Sequence, residues 1–151
     1  MQLDILCFGN IKKYSCLSSI FEYYKKRIKL KINVVEMKTT KIESKKKKFE
    51  SQEIVSALNN YEKNIVFLLD RKGKLVSSEE LPMQIKKRML EGDKKLCFVI
   101  GGENGFEVKN KQNWKHISFG LQTWPHMLFR VMLIEQIYRS LEILKNSKYH
   151  R

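Results

Sequence analysis

The run Ile65-Val66-Phe67-Leu68-Leu69 is apolar without a break and is followed directly by Asp70-Arg71-Lys72-Gly73-Lys74. A short continuous apolar stretch ended by polar residues reads as a strand covered on both faces, which is the situation in a parallel sheet flanked by helices. Residues 3–8, closed by Gly9-Asn10, and residues 96–100, closed by Gly101-Gly102, are further buried strands of this kind. Residues 31–37 give a second strand with imperfect alternation, and residues 117–119 a short fifth. Helical patterns fall between them. Ile20, Phe21, Tyr24 and Ile28 share one face of a helix over 15–29, and Phe49, Ile54, Ala57, Leu58 and Tyr61 mark another. A third runs from a cap at Ser77 or Ser78 to about Leu90. Residues 70–74 read as a turn, 39–48 as a solvated loop or helix start, and 106–115 as a brief helical or irregular piece. Strands alternating with helices predict an α/β domain with a parallel sheet.

Glycines follow two of these strands. Gly101-Gly102-Glu103-Asn104-Gly105 comes directly after the fourth, and Ser118-Phe119-Gly120-Leu121-Gln122-Thr123-Trp124-Pro125-His126 follows the fifth. A position without a Cβ lets a ligand approach the main chain. Two such turns side by side predict a small-molecule site at the carboxyl edge of the sheet. The last helix, about 125–146, starts on a proline that presets its first turn. Met127, Val131, Ile134, Tyr138 and Leu141 form one apolar stripe, and Leu128, Met132, Leu133, Ile137 and Leu144 widen it beyond one face. Such a helix needs cover on two sides. Either a symmetric partner chain or the first helix supplies the second cover.

The 151 residues carry 30 Lys plus Arg against 16 Asp plus Glu, a net charge of +14. An excess of that size points to a polyanionic partner, RNA or DNA before a membrane, or to a lysine-rich composition alone. Cys7, Cys16 and Cys97 have no metal-ligand spacing, and an odd, unpatterned count suits a reducing cytoplasm. No metal and no membrane association are expected, since no apolar run approaches the ~20 residues that span a bilayer.

Taken in order, Leu68-Leu69-Asp70 with Gly73-Lys74, the strand and turn from Phe98 to Gly105, Thr123-Trp124-Pro125-His126, Arg130, Glu135-Gln136-Ile137-Tyr138-Arg139 and the ending Tyr149-His150-Arg151 resemble the bacterial 23S rRNA pseudouridine N3-methyltransferases, a group within the SPOUT superfamily. The resemblance runs nearly end to end. It implies a single SPOUT domain over 1–151 whose C-terminal segment forms a trefoil knot, a feature no general rule of folds would suggest. It also implies a homodimer packed through the C-terminal helix and S-adenosyl-L-methionine as cofactor. The substrate it implies is N3 of a pseudouridine in helix 69 of 23S rRNA, in the assembled ribosome.

Carried over residue by residue, the cofactor contacts fall on Leu69, Gly102 and the run Gly120-Leu121-Gln122-Thr123-Trp124-Pro125. Commoner members of the family carry serine at the position of Gly120 and leucine at that of Trp124, so main-chain contacts are the ones expected there. His150 is the first candidate to touch the target base, as general base or as positioner, with Arg151 and Tyr149 beside it. The tail is short, terminal and polar, so its removal is expected to leave the fold nearly unchanged. His126 and Arg130 are the expected substrate-binding residues. The plainer readings are local carbonyl capping for His126 and pairing with Glu135 or Glu103 for Arg130. Glu135 and Arg139 stand at i,i+4 and can pair along the helix. Residues 45–48 either track rRNA phosphates or form a solvated face. Two other readings compete: an ordinary nucleotide-binding α/β enzyme, opposed by the lone Gly9 where G-x-G-x-x-G would stand, and a non-catalytic RNA-binding module.

Overall fold

The computed structural model describes residues 1–102, 105 and 114–149. The elements in chain order are β1 (Gln2–Phe8), α1 (Ser15–Arg27), β2 (Lys31–Met37), α2 (Glu43–Leu58), β3 (Val66–Leu75), α3 (Glu80–Leu90), β4 (Lys95–Ile100), β5 (Lys115–Ser118) and α4 (His126–Leu144). The five strands form one sheet in the order β2-β1-β4-β3-β5, and every neighbouring pair is parallel. The expected α/β architecture is therefore present. Among the described residues no helix is long and apolar enough to cross a membrane.

The central strands carry the core. Phe67 of β3 and Phe98 of β4 are partners in register, fully buried, with ring centroids 5.4 Å apart. Asp4 is a buried acid in β1, where an unpaired carboxylate would be costly. It accepts hydrogen bonds from Tyr61 Oη and Gln2 Nε2, both at 2.6 Å. Burial and the bond to Asp4 push the Tyr61 phenol well above its ordinary range.

Residues 70–74 are not a turn between elements. β3 continues to Leu75, and its pairing with β5 slips, Leu69 and Lys74 both standing opposite Ile117. The intervening residues bow outward as a bulge, and the strand then resumes. Gly73 makes this close approach possible: a Cβ there would lie 2.7 Å from His116 C and Ile117 N. Charge and glycine together had the composition of a turn, but at the carboxyl end of the sheet a bulge accepts the same residues.

The polar stretch around Lys45–Lys48 belongs to the first turns of α2. The cap before α3 is a reciprocal box: Ser77 Oγ accepts from Glu80 N at 3.1 Å, and Glu80 Oε2 accepts from Ser77 N at 2.9 Å. α4 is covered by α1 within the chain. Arg27 donates to Tyr138 Oη through Nε and Nη2, at 3.2 and 3.1 Å, and the Tyr24 and Tyr138 rings lie 5.6 Å apart. Ile137 is 0% exposed in the single chain. The breadth of the apolar surface on α4 thus has an intramolecular explanation, the second of the two left open by its sequence.

Candidate active site

The carboxyl ends of β1, β4 and β5, together with the bulge of β3, open onto one cleft of about 1020 Å³. The chain leaves β1 toward β2 on one side of the sheet and leaves β4 toward β5 on the other. Their border is where connections reverse direction, the position at which parallel sheets bind ligands. Gly9 and Gly101-Gly102 end those two strands in the cleft. Leu69 and the bulge residues Asp70, Arg71 and Lys72 enter from β3, and the chain from Ser118 to Phe129 forms the opposite wall.

Most of the residues expected to meet a cofactor are brought together here: Leu69, Gly102, Gly120, Gln122, Thr123, Trp124 and Pro125 all line the cleft. Leu121 does not line it and is 72% exposed. The turn of this wall is fixed by Ser118, whose Oγ donates to Gly120 O at 2.8 Å and accepts from Gly120 N at 3.3 Å. The Phe119 and Phe129 rings, 5.6 Å apart, tie the same wall to α4.

At Gly102 the space freed by the missing side chain is taken by the protein itself. A Cβ there would overlap the Glu50 carboxylate, Oε2 first. Glu50 lies on α2, is 2% exposed and lines the cleft. Its Oε1 accepts a 2.5 Å hydrogen bond from Thr39 Oγ1, and its Oε2 is buried with no hydrogen-bond partner. Sequence reasoning passed over this residue, yet a signal was present. Glu50, Ile54 and Leu58 recur every four residues, so an acid occupies the register of an apolar stripe.

The expected substrate residues separate. His126 opens α4 and lines the cleft. Arg130, one turn on, does not line it and is 0% exposed. Its Nη2 donates to Phe8 O at 2.8 Å and Gly9 O at 2.9 Å, and its Nη1 pairs with Glu36 Oε1 of β2 at 3.2 Å. In the structure Arg130 thus clamps the end of β1 and faces no open surface. Its carboxylate partner among the described residues is Glu36 and not Glu135, one of the two acids in the plainer reading; the other, Glu103, lies outside the described residues. Glu135 pairs with Arg139 at 2.7 Å, as the i,i+4 spacing predicts.

His150, Arg151, Glu103 and Asn104 lie outside the described residues, as does most of the expected piece over 106–115. Tyr149 is described and is not a loose end. Its hydroxyl donates to Glu135 Oε1 at 3.0 Å, its ring meets Tyr138 edge-on at 4.8 Å, and the Arg139 guanidinium lies over it at 4.8 Å. Burial, with the bonds to Tyr24 and Glu135, raises its phenol far above the ordinary range and keeps it protonated. Tyr149 does not line the cleft of its own chain.

Basic side chains crowd the rim: Lys46 and Lys47 from α2, Arg71 and Lys72 from the bulge. Among the described residues no three of His, Cys, Asp and Glu gather in a way that could hold a metal ion.

Comparison with known proteins agrees with this arrangement. Over residues 1–150 the chain matches a family described as predicted SPOUT methyltransferase. A ribosomal RNA large subunit methyltransferase H from Mycoplasmopsis synoviae (strain 53) is 40% identical over 155 residues, which cover 100% of both chains. Proteins of the same name from Mesoplasma florum and Clostridium botulinum (strain Okra / Type B1) are 35% and 36% identical, again over 100% of both chains. Likeness at this level along the whole length, in a sheet that opens its carboxyl ends onto one cleft, settles the relationship: the chain belongs to the SPOUT methyltransferase family.

Proposed function

We propose that this protein transfers a methyl group from S-adenosyl-L-methionine to N3 of a pseudouridine in helix 69 of 23S rRNA, on the assembled ribosome. The observation that carries the reading is the cleft. The strand ends and wall that resemble the family's cofactor loops converge on it, and basic side chains surround its mouth. The substrate class comes from relatives named ribosomal RNA large subunit methyltransferase H, which match from end to end.

The residues present fit such a donor. A cleft of about 1020 Å³ has room for a nucleoside joined to an amino acid. Leu69, Gly102 and the wall of Gly120, Gln122, Thr123, Trp124 and Pro125 would hold it, with Leu121 contributing main chain only. The sulfonium donor brings a methyl group already activated for transfer, so alignment is the main task left to the protein. The walls exclude water from the reacting atoms. Lys46, Lys47, Arg71 and Lys72 would meet phosphates, where each neutralised charge releases counterions. The acceptor imide must lose a proton, so a base or water relay within hydrogen-bond reach speeds the step. His150 and His126 are the two candidates. Tyr149, held protonated, suits positioning and not proton abstraction, and Arg151 would orient the base with it. Arg130 acts on substrate only through the main chain of Phe8 and Gly9 that it holds.

The same reading includes a homodimer through α4. A groove lined by Ile20, Tyr24, Val76, Met132 and Glu135 leaves one side of α4 open. Tyr149 touches Tyr24 and Glu135 of that groove, so the tail would leave along the dimer seam. The C-terminal knot of the family fold belongs to this reading as well.

Calorimetric titration with S-adenosylmethionine, followed by tritiated methyl transfer to ribosomes lacking the modification, tests the proposal. Saturable binding and label in 23S rRNA are expected. No heat at millimolar donor, with ribosome binding retained, would establish the non-catalytic RNA-binding reading in its place.

A further inference from the structure

Among the described residues Glu50 is the one acid in the wall between the Gly101-Gly102 turn and α2, and its situation is unfavourable as it stands. The residue is 2% exposed, yet only one carboxylate oxygen is satisfied, by Thr39 Oγ1 at 2.5 Å. Among the described residues nothing donates to Oε2. A buried carboxylate without a full set of donors is destabilising, and a chain of net charge +14 has lysines nearby to relieve it. Lys46 and Lys47 line the same cleft, and among the described ion pairs Lys46 meets Glu43, at 3.4 Å, and neither lysine meets Glu50. Gly102 meanwhile leaves open the space in which Oε2 sits, since any Cβ there would overlap it. A glycine that admits an acid, and a threonine that orients it, make a built position for a cation at the cleft wall.

We propose that Glu50 is a cofactor-binding residue that receives the α-ammonium group of the methyl donor. The proposal rests on the reading of the cleft as an S-adenosylmethionine site. The donor carries two cationic centres. Its sulfonium has no N–H and cannot complete the hydrogen bonding of Oε2; its ammonium brings charge and three donors together. The amino-acid end of the donor therefore lies against Gly102 and α2, and the nucleoside end lies toward the wall of residues 118–125. The methylated-out product keeps the ammonium, so Glu50 holds donor and product alike and does not discriminate between them.

The test is a cycle of two proteins against four ligands by titration calorimetry: wild type and Glu50→Gln, each with S-adenosylmethionine, S-adenosylhomocysteine, the deaminated analogue of S-adenosylhomocysteine, and 5′-methylthioadenosine. Glutamine keeps the size of the side chain and can keep the bond to Thr39, and it removes the charge. Wild type should bind S-adenosylhomocysteine at least about tenfold more tightly than the deaminated analogue, the scale of one charge-assisted hydrogen bond. Glu50→Gln should weaken the first two ligands by a similar factor and leave the last two unchanged. The melting temperature without ligand should stay level or rise, because an incompletely satisfied buried charge has been removed. A wild-type protein that binds the deaminated analogue as tightly as S-adenosylhomocysteine overturns the proposal, whatever the variant does. Equal weakening of all four ligands, or a fall in melting temperature, assigns Glu50 a purely structural role. Weakening of S-adenosylmethionine alone would move the carboxylate to the sulfonium and refute the ammonium assignment. Absence of binding for every ligand to wild type would refute the donor reading itself, a result distinct from all of these.

Discussion

Replacing Arg130 by methionine tests whether this residue is a strut or a substrate contact. The change keeps length and removes all donors. In the structure it strips Phe8 O of a buried hydrogen bond of 2.8 Å and Gly9 O of a partly buried one of 2.9 Å. A buried acceptor left without a donor costs about 1–3 kcal/mol, which applies to Phe8 O; Gly9 is exposed, so water can reach its carbonyl and it adds less. Glu36 adds little, since its side chain is 39% exposed and can rehydrate. Removing a fully buried guanidinium whose Nε has no partner gives some of this back. We therefore expect a net loss of about 2 kcal/mol, and of about 1 for lysine, which restores one compact charge without the planar fork. Urea unfolding at a fixed protein concentration measures it, with an unchanged denaturant slope as the check that the unfolded state is the same. For a chain of this length about 2 kcal/mol corresponds to a melting temperature lower by roughly 4–8 °C. A loss below about 1 kcal/mol accompanied by lost methyl transfer would refute the reasoning and return Arg130 to the substrate.

Other consequences can be checked with simpler means. Cys16 is exposed while Cys7 and Cys97 are buried, so iodoacetamide at pH 8 should label the native protein once, at Cys16, by peptide mass. Burial pushes the Cys7 thiol from 9.0 up to about 11; the unfolded thiol ionises first, so this contribution to stability is intact below pH 9 and lost between pH 9 and 11 in urea titrations. Met132→Glu, in the open groove on α4, should turn a dimer into a monomer by light scattering while the melting temperature falls only slightly, whereas Ile137→Glu, in the core, should abolish folding. Deleting residues 149–151 should lower stability by about 1–2 kcal/mol through the loss of Tyr149 packing and should cut methyl transfer by orders of magnitude with donor affinity kept. Full transfer by the truncated protein would leave His126 as the base.

The strand–helix alternation was readable because the buried strands are almost purely apolar, and the cleft was readable from the glycines that end β4 and follow β5. What escaped depends on contacts between distant segments. The β3 bulge has the local composition of a turn, and only the register against Ile117 of β5 distinguishes the two. Arg130 looked like a surface cation because its acceptors, Phe8 O, Gly9 O and Glu36, lie more than ninety residues earlier in the chain. Tyr149 looked like part of a free tail because its partners are on α1 and α4. Glu50 was the avoidable omission, an acid in an apolar register.

The position of β1 sets a constraint on synthesis. It is made before the other strands of its sheet, yet it sits inside the sheet, with β4 as one neighbour about ninety residues later and Arg130 securing its end later still. At about 5–20 residues per second, roughly 5–20 s pass between the emergence of β1 and that of its partner. During that interval this almost wholly apolar strand can pair only with β2, and its other edge stays open. The floor of the cleft is thus assembled from pieces made far apart in the chain, and a nascent protein stalled before β4 carries an open, aggregation-prone edge where the finished one holds its site.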